Sequence, residues 1–463
     1  MKKYFLGIDL GTSSIKGILR SKDGEIIKAK LPYEENSVDG WKSALKELIS
    51  ALNIQNEGGR VESIAFSSQV GTYVIDGEKV ISWQDSAGKT ELEEIKEKIT
   101  QQQFVKEISM PHPDIISYPL PRLLYIKRKY GDGVEVLQPK DLLIRELTGE
   151  TVTDVYSMRG IVHLNTAEYA KGILQTLGLD FILPAVKNPT DLAGCVTKQA
   201  AQEYGLEEGI PVYLGCNDFF SGLLGMGRYA LNDAFDLSGT SEHIGWISES
   251  LQENSFVSGG YFNGYCNYGG TKASGISCDF AICNFGIDDV SLEILDRDPP
   301  LFLPYLKGER APIFDENARG VYFGLNGQTT KAEMAYAALE GVVFSLYDIA
   351  SSMNMPPLKR LVCGGGSAKN ALMARLKAEL FDCEVVPVTE NDTSALGAVM
   401  MAMVGKGAYA DMGTAIRSCV SYAEAVKPSG KYRKKLLKRF EIYQEIYQKL
   451  KETFIKFHGI KEN

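Results

Sequence analysis

The chain is short of the residues that staple secreted scaffolds or hold structural metals. Its 463 residues include only eight cysteines, scattered and without a CxxC, and only four histidines, none in an HExxH. Cys278 and Cys283 are the nearest cysteine pair. This scarcity excludes a disulfide framework and the common zinc motifs, and it predicts reduced thiols in a cytoplasmic protein with no structural metal. Basic charge is not in excess either. A net charge of −9 argues against nucleic acid as the main partner. Long apolar runs are absent. The longest uncharged one, Ala395 to Gly405, is too short to cross a bilayer and reads as a buried helix, so no membrane partner is expected. Lys2-Lys3 precede an apolar stretch, but Asp9 interrupts it too early for a secretory leader. With 44% hydrophobic and 24% charged residues the composition is that of an ordinary globular protein, and the length predicts about two to three domains.

What is present is concentrated at the N-terminus, in Phe5-Leu6-Gly7-Ile8-Asp9-Leu10-Gly11-Thr12-Ser13-Ser14-Ile15-Lys16. Phe5 to Ile8 and Ile15 to Leu19 read as strands, and Asp23-Gly24 turns the chain towards a third, Glu25 to Ala29. Gly11 allows a sharp turn that brings N–H groups close to an anion. Thr12, Ser13 and Lys16 carry donors for phosphate oxygens. Asp9 would repel phosphate and suits Mg²⁺ or one of its waters. The pattern fits a hairpin for Mg-nucleotide, and equally an ordinary hydroxyl-rich hairpin. A second copy, Phe235-Asp236-Leu237-Ser238-Gly239-Thr240-Ser241 followed by apolar Ile244 to Ile247, favours the first reading. Two such loops, one per half, predict a duplicated fold with a nucleotide between the halves.

Along the chain, helices are predicted at Trp41 to Leu52, Pro121 to Tyr130, Asp141 to Leu147, Thr330 to about Ser351 behind a Thr330/Glu333 capping box, and Lys431 to Phe457. The last has Leu436, Phe440, Tyr443, Tyr447, Leu450, Phe454 and Phe457 at helical spacing. Strands are predicted at Val61 to Phe66, Thr72 to Ile75, Val80 to Trp83, Val212 to Leu214 and Leu358 to Cys363. Alternating α and β patterns imply parallel-rich sheets flanked by helices. The boundary between halves falls at Tyr229 to Asp233, giving domains 1–230 and 231–463. Gly88-Lys89-Thr90 imitates a P-loop, but that motif needs a glycine where Trp83 stands. Trp83, Gln84 and Asp85 suit the wall of a site at a strand end instead.

Phosphoryl transfer to a hydroxyl needs held phosphates, Mg²⁺ and a base. Asp218, directly after a strand and between Gly215 and Gly222, is the candidate base, with a helix N-cap as the alternative use. Asn217 offers an amide to a substrate hydroxyl, and Phe219 and Phe220 exclude water. Gly364-Gly365-Gly366, at the end of a strand, suits a backbone against a flat adenine, or a plain tight turn.

Asp9-Leu10-Gly11-Thr12-Ser13, Gly215-Cys216-Asn217-Asp218, Ser238-Gly239-Thr240-Ser241, Leu303-Pro304-Tyr305-Leu306-Lys307-Gly308-Glu309-Arg310-Ala311-Pro312, Gly364-Gly365-Gly366-Ser367 and Ser394-Ala395-Leu396-Gly397-Ala398 occur in an order that resembles the FGGY carbohydrate kinases. The resemblance runs from about Lys3 to Ala402, and its Pro-Tyr-Leu-x-Gly-Glu-Arg-x-Pro segment is the most specific part. It implies an α/β fold of two actin-like, ribonuclease-H-like ATPase domains around a central cleft. It implies ATP and Mg²⁺ held mainly by the second domain and a sugar mainly by the first. In that scheme Asp218 is the general base, Asp9 assists Mg²⁺, and Thr12, Thr240 and Ser241 approach the phosphates. Gly364 to Gly366 with Asn370 border the adenosine, the segment Pro304 to Pro312 is structural, and a homodimer is common. Gly11, Ser13, Lys16 and Gly239 complete the nucleotide set. Gln69, Trp83, Asp85 and Asn217 are the expected sugar contacts.

The departures lie at the sugar end. Xylulokinase-like members carry Met-His, and glycerol kinases Arg-Glu, where this chain reads Gln69-Val70-Gly71. The usual Trp-x-Asp-x-Arg is here Trp83-Gln84-Asp85-Ser86-Ala87, without the basic residue. Met110-Pro111-His112-Pro113 is similar to gluconate-kinase members. The expected activity is ATP-dependent phosphorylation of a ketose, polyol or sugar acid, xylulokinase-like first and gluconate next. The readings from other classes are an actin-fold ATPase switch and a sugar-sensing relic. A switch would not need Gly215-Cys216-Asn217-Asp218 or the Pro304 to Pro312 signature, and the intact Asp9, Thr240 and Asp218 argue against a relic.

Overall fold

A computed structural model describes residues 1–53, 59–112, 114–239, 241–287 and 290–460. The chain forms two compact units, the first made of Met1–Tyr229, Gly259–Phe262 and Asp392–Val420, the second of Ala230–Ser258, Asn263–Asn391 and Ser421–Asn463.

The first unit is built on a six-stranded sheet. Its order is Leu192–Cys195, Pro211–Asn217, Gly59–Ser68, Lys2–Leu10, Ser14–Ser21, Ile26–Pro32. The first three chain strands form an antiparallel meander, and Gly59–Ser68 then joins parallel to Lys2–Leu10. Strand alternation sends Tyr4, Leu6, Ile8 and Leu10 into a core with Trp41, Leu45, Leu48 and Ile49 of the helix Val38–Leu52. That helix is capped by Ser37, whose hydroxyl accepts from Gly40 N. The opposite face carries Gly7 and Asp9. Here the helix Thr393–Gly405 lies so close that a Cβ on Gly7 would stand 2.3 Å from the Ala395 carbonyl. The Ser63 hydroxyl donates to the Ala402 carbonyl at 3.0 Å. Ala395 to Gly405 is thus the buried helix its composition predicts, and it is packed on the sheet of the first unit. The helix Asp218–Gly225 crosses it with equal intimacy, since a Cβ on Gly225 would be 1.9 Å from the Thr393 carbonyl. The P-loop imitation is the start of the helix Lys89–Lys98, with Gly88 at its N-cap and Lys89 and Thr90 exposed.

The second unit repeats the scheme, with strands in the order Gly264–Gly270, Glu242–Ser248, Ala234–Ser238, Arg360–Gly365, Glu384–Pro387. Again a hairpin, Ala234–Ser238 with Glu242–Ser248, has a parallel neighbour beside its first strand. Thr330 and Glu333 form the reciprocal capping box of the helix Lys331–Ser352. The helix Arg433–Gly459 buries Leu436, Phe440, Tyr443, Tyr447 and Phe454 against it. Phe457, expected on the same apolar stripe, is exposed because the helix runs past the core it covers. Glu309 of the family signature is buried and accepts from the backbone N–H of Lys272 at 2.5 Å and of Arg310 at 2.7 Å, and from the Ser345 hydroxyl at 3.3 Å.

Among the described residues no helix is long and apolar enough to cross a membrane, and no group of three or more His, Cys, Asp or Glu could hold a metal ion.

Candidate active site

In the first unit, Asp9 ends the central strand on the face shared with the helix Thr393–Gly405. Its Oδ1 accepts from the Ser67 hydroxyl at 3.0 Å. Its Oδ2 lies 3.7 Å from the Lys16 amine, which is 3.3 Å from Asp392 Oδ1. Burial raises the Asp9 carboxyl above the usual range, and Lys16 and Ser67 oppose it. Burial works to lower the Lys16 amine, but the charges of Asp9 and Asp392 outweigh it and raise it. Lys16 therefore sits between two carboxylates, of which sequence reading found only Asp9. The signal for Asp392 was an acid and hydroxyl pair, Asp392-Thr393, opening an apolar helix.

Asp218 directly follows the strand Pro211–Asn217, as expected, and stands at the first position of the helix Asp218–Gly225, one residue past the N-cap. Asn217 is the N-cap, accepting from Phe220 N at 2.9 Å and donating to the Tyr156 carbonyl at 3.0 Å. At 1% exposure, Asn217 anchors the helix and does not offer its amide outward. The Asp218 carboxylate accepts from Phe219 N at 2.8 Å. Burial first, and then the charge of Asp9, push its pKa up to about 7, against the Phe219 N–H, Arg159 and Lys16. The Ser394 hydroxyl donates to the Asp218 carbonyl at 2.9 Å, so the two helices fix the backbone of Asp218 together.

Of the other expected residues, Gly11, Thr12, Gln69 and Trp83 form one hydrogen-bonded cluster. Gln69 Nε2 donates to Asn36 Oδ1 at 2.7 Å and to the Gly11 carbonyl at 3.4 Å. Its Oε1 accepts from the hydroxyls of Thr72 at 3.2 Å and Thr12 at 3.4 Å. The Trp83 indole donates to the Thr12 hydroxyl at 3.0 Å. Thr12, expected at phosphate, is thereby tied to Gln69 and Trp83, expected at sugar. Gln69 is 2% exposed and braces the hairpin. Ser13 is exposed at the tip. Asp85 is exposed, and its carboxylate closes a turn on Ser82 N at 2.8 Å. The Gly11 N–H is directed to the Ser14 carbonyl at 3.0 Å, closing the turn instead of facing an anion.

In the second unit, Gly239 likewise closes its hairpin, donating to the Ser241 carbonyl at 2.8 Å. Thr240 lies outside the described residues. The Ser238 hydroxyl donates to the Gly364 carbonyl and accepts from Ser367 N, each at 2.9 Å. Gly365 has φ +83°, and a Cβ there would meet the Ser238 carbonyl at 1.9 Å, so the Gly364 to Gly366 turn is packed against this loop. Asn370 caps the helix Ala371–Phe381, accepting from Leu372 N and Met373 N. Behind the loop lies a buried cluster that sequence reading missed. Lys377 pairs with Asp236 and, at 2.7 Å, with Glu242, which also accepts from Ser367 at 2.8 Å. His112 is buried against the Phe104 ring at 4.5 Å, with burial lowering its pKa to about 4.

Comparison with known proteins agrees over nearly the whole chain. Residues 4–225 match the FGGY family of carbohydrate kinases, N-terminal domain, and residues 238–405 its C-terminal domain. A xylulose kinase of Lactococcus lactis is 28% identical, with 97% of each chain covered, and a gluconokinase of Bacillus subtilis is 26% identical, with 88% of each covered. Among solved structures, a gluconate kinase from Lactobacillus acidophilus superposes with a TM-score of 0.87 at 26% identity, covering 99% of this chain and 100% of that one. A ligand-bound xylulose kinase from the same organism also gives 0.87 at 26% identity, covering 98% and 100%. The duplicated hairpin-and-parallel-strand sheets are the two actin-like domains of these enzymes, and the chain belongs to the FGGY family of carbohydrate kinases.

Proposed function

We propose that this ATP-dependent carbohydrate kinase phosphorylates a hydroxyl of a small sugar of the ketose, polyol or sugar-acid kind, with Asp218 as general base. The observation that carries the assignment is the state of Asp218: a carboxylate fixed at a helix start, raised to about 7, in the electrostatic field of Asp9 and Lys16. A base with that pKa accepts a proton near neutral pH. The acceptor hydroxyl gives its proton to Asp218 as its oxygen attacks the γ-phosphorus of ATP in line, and ADP leaves. Lys16 offsets developing negative charge. The hairpin residues Thr12 and Ser13, the loop residues Thr240 and Ser241, and Gly364 to Gly366 with Asn370 are the proposed nucleotide contacts, with Gly11 and Gly239 shaping the two turns. Gln69 and Trp83 shape the acceptor side, with Asp85 at its edge.

Mg²⁺ is typically held by one or two carboxylates, waters and substrate phosphates, and the single buried carboxylate of Asp9 fits that donor set. Bound there, the ion would screen phosphate charge. The names of the xylulose kinase and gluconokinase relatives support ketose and sugar-acid acceptors alike.

The test is ADP release from MgATP across ketoses, alditols and aldonic acids, with Asp218→Asn as control. Removing a positioned base costs about 10²–10⁴-fold. The variant is expected to fold, to bind nucleotide and to lose at least about 100-fold in kcat; near-normal turnover would refute the role.

A further inference from the structure

The two hairpins place their acids alike and pair them differently. Asp9 stands opposite Lys16 across the first hairpin, with the Lys16 amine beside it. Asp236 holds the corresponding position in the second copy, but the residue opposite it is Ile244. Its cation comes from another element. Lys377, on the helix Ala371–Phe381, reaches Asp236 from behind the hairpin. Lys377 and Asp236 are each 1% exposed, and Glu242 is fully buried.

The Lys377 ammonium pairs with Asp236 and, at 2.7 Å, with Glu242. Asp236 lies in the strand that enters the loop Gly239 to Ser241, and Glu242 begins the strand that leaves it. One cation thus clamps both ends of the loop. Glu242 carries the tie further. Its Oε1 accepts from the Ser367 hydroxyl at 2.8 Å, and its Oε2 from the Ser274 hydroxyl. Ser367 follows the Gly364 to Gly366 turn, and its N–H donates to the Ser238 hydroxyl at 2.9 Å. Burial and the charge of Glu242 raise the Asp236 carboxyl. Burial also works to raise Glu242, but Lys377 and the hydrogen bonds outweigh it and hold its carboxyl low. Glu242 is therefore the firm anion of the group, with Lys377 as its counter-ion. Buried charges persist where they are paired and hydrogen-bonded, and removing one partner leaves the other uncompensated. At its depth Lys377 touches no ligand and acts through the groups it holds.

We propose that Lys377, acting through Glu242, is a positioning residue of the nucleotide site: it sets the spacing between the loop Gly239 to Ser241 and the turn Gly364 to Gly366, and with it the affinity for MgATP. This rests on the reading of those two segments as nucleotide contacts. A misplacement of about 1 Å in a positioning group can cost about 100-fold.

The experiment measures Kd for MgADP by calorimetry, KM for ATP and for the acceptor, and thermal unfolding. It compares the native enzyme with Lys377→Met, Lys377→Arg, Glu242→Gln, Ser241→Ala and Tyr443→Phe. Lys377→Met is expected to raise Kd and KM for ATP by at least about tenfold while KM for the acceptor stays unchanged. Lys377→Arg keeps the charge and should recover part of the loss. Glu242→Gln leaves Lys377 paired with Asp236, so no charge is stranded; it should raise the same two constants by less, and it decides the matter if Lys377→Met does not fold. Tyr443→Phe removes a hydroxyl bonded to Tyr305 at 2.7 Å in the core of the same unit. It should lower Tm and leave nucleotide affinity alone. An equal loss of affinity in Tyr443→Phe, or an equal rise in KM for the acceptor, overturns the proposal. If Ser241→Ala weakens nucleotide binding and the Lys377 and Glu242 variants do not, the proposal falls and the nucleotide reading stands. If none of them weakens it, both fall.

Discussion

At the scale of single residues, the state of Asp218 sets the pH behaviour. The base must be ionised, so kcat/KM is expected to fall about tenfold per pH unit below an apparent pKa near 7 and to level off above it. Asp9 is the largest charge holding that pKa up. Asp9→Asn should therefore shift the acid limb to lower pH, whatever it does to the plateau; a pH profile of kcat/KM checks this, and an unmoved limb would separate the two carboxylates. Asp9, Lys16 and Asp218 could be picked out because acid, hydroxyl and amine follow strand ends in a fixed order. Arg159 could not. A lone arginine in a loop has no periodicity, and its burial among Tyr118, Phe219 and Phe220 depends on segments distant in the chain. Nor does residue type reveal that the Gly11 and Gly239 N–H groups turn back onto their own hairpins.

At the scale of elements, the strands of both hairpins were legible from apolar runs broken by Asp-Gly or Gly-Thr. The helix Asp218–Gly225 was legible only in part, through the helix N-cap weighed at Asp218; the cap is Asn217, one residue earlier. Two glycines and two phenylalanines in eight residues give it little intrinsic helix preference. Its reason lies in packing: Gly225 meets the Thr393 carbonyl, and Ser221 donates to the Ser394 carbonyl at 2.7 Å. Glycine is used there for close approach of two backbones. Gly225→Ala is expected to destabilise the protein by about 1–3 kcal/mol through overpacking and to reduce kcat, because the displaced helix carries Asp218 at its start. Thermal unfolding and turnover measured together check this; an unchanged Tm would mean that the crossing relaxes freely.

At the scale of the whole molecule, the family assignment sets aside a nucleotide switch without a carbohydrate substrate. The duplication was legible because both copies of the loop keep the same order of residues. The partition of helices was less so. Ala395 to Gly405 is apolar on all sides, and such a helix carries no stripe to say which sheet it covers. It covers the sheet of the first unit, although some 160 residues of the second unit precede it in the chain. A fragment of residues 1–230 is therefore expected to aggregate or bind hydrophobic dyes, and a fusion of that fragment to residues 392–420 through a flexible linker is expected to do so less. Equal solubility of the two would show that the sheet face needs no cover.

That same helix imposes an order on biosynthesis. All six strands of the first sheet have been translated by Asn217, but the face bearing Gly7 and Asp9 stays open until Gly405 has been translated. At about 5–20 residues per second the wait is on the order of ten seconds or more. During it the nascent chain exposes a sheet face that the apolar helix normally covers, and the chain is a natural client for holding chaperones. A ribosome that stalls between these two points would release a chain in which the proposed catalytic carboxylate is present but its supporting helix is not.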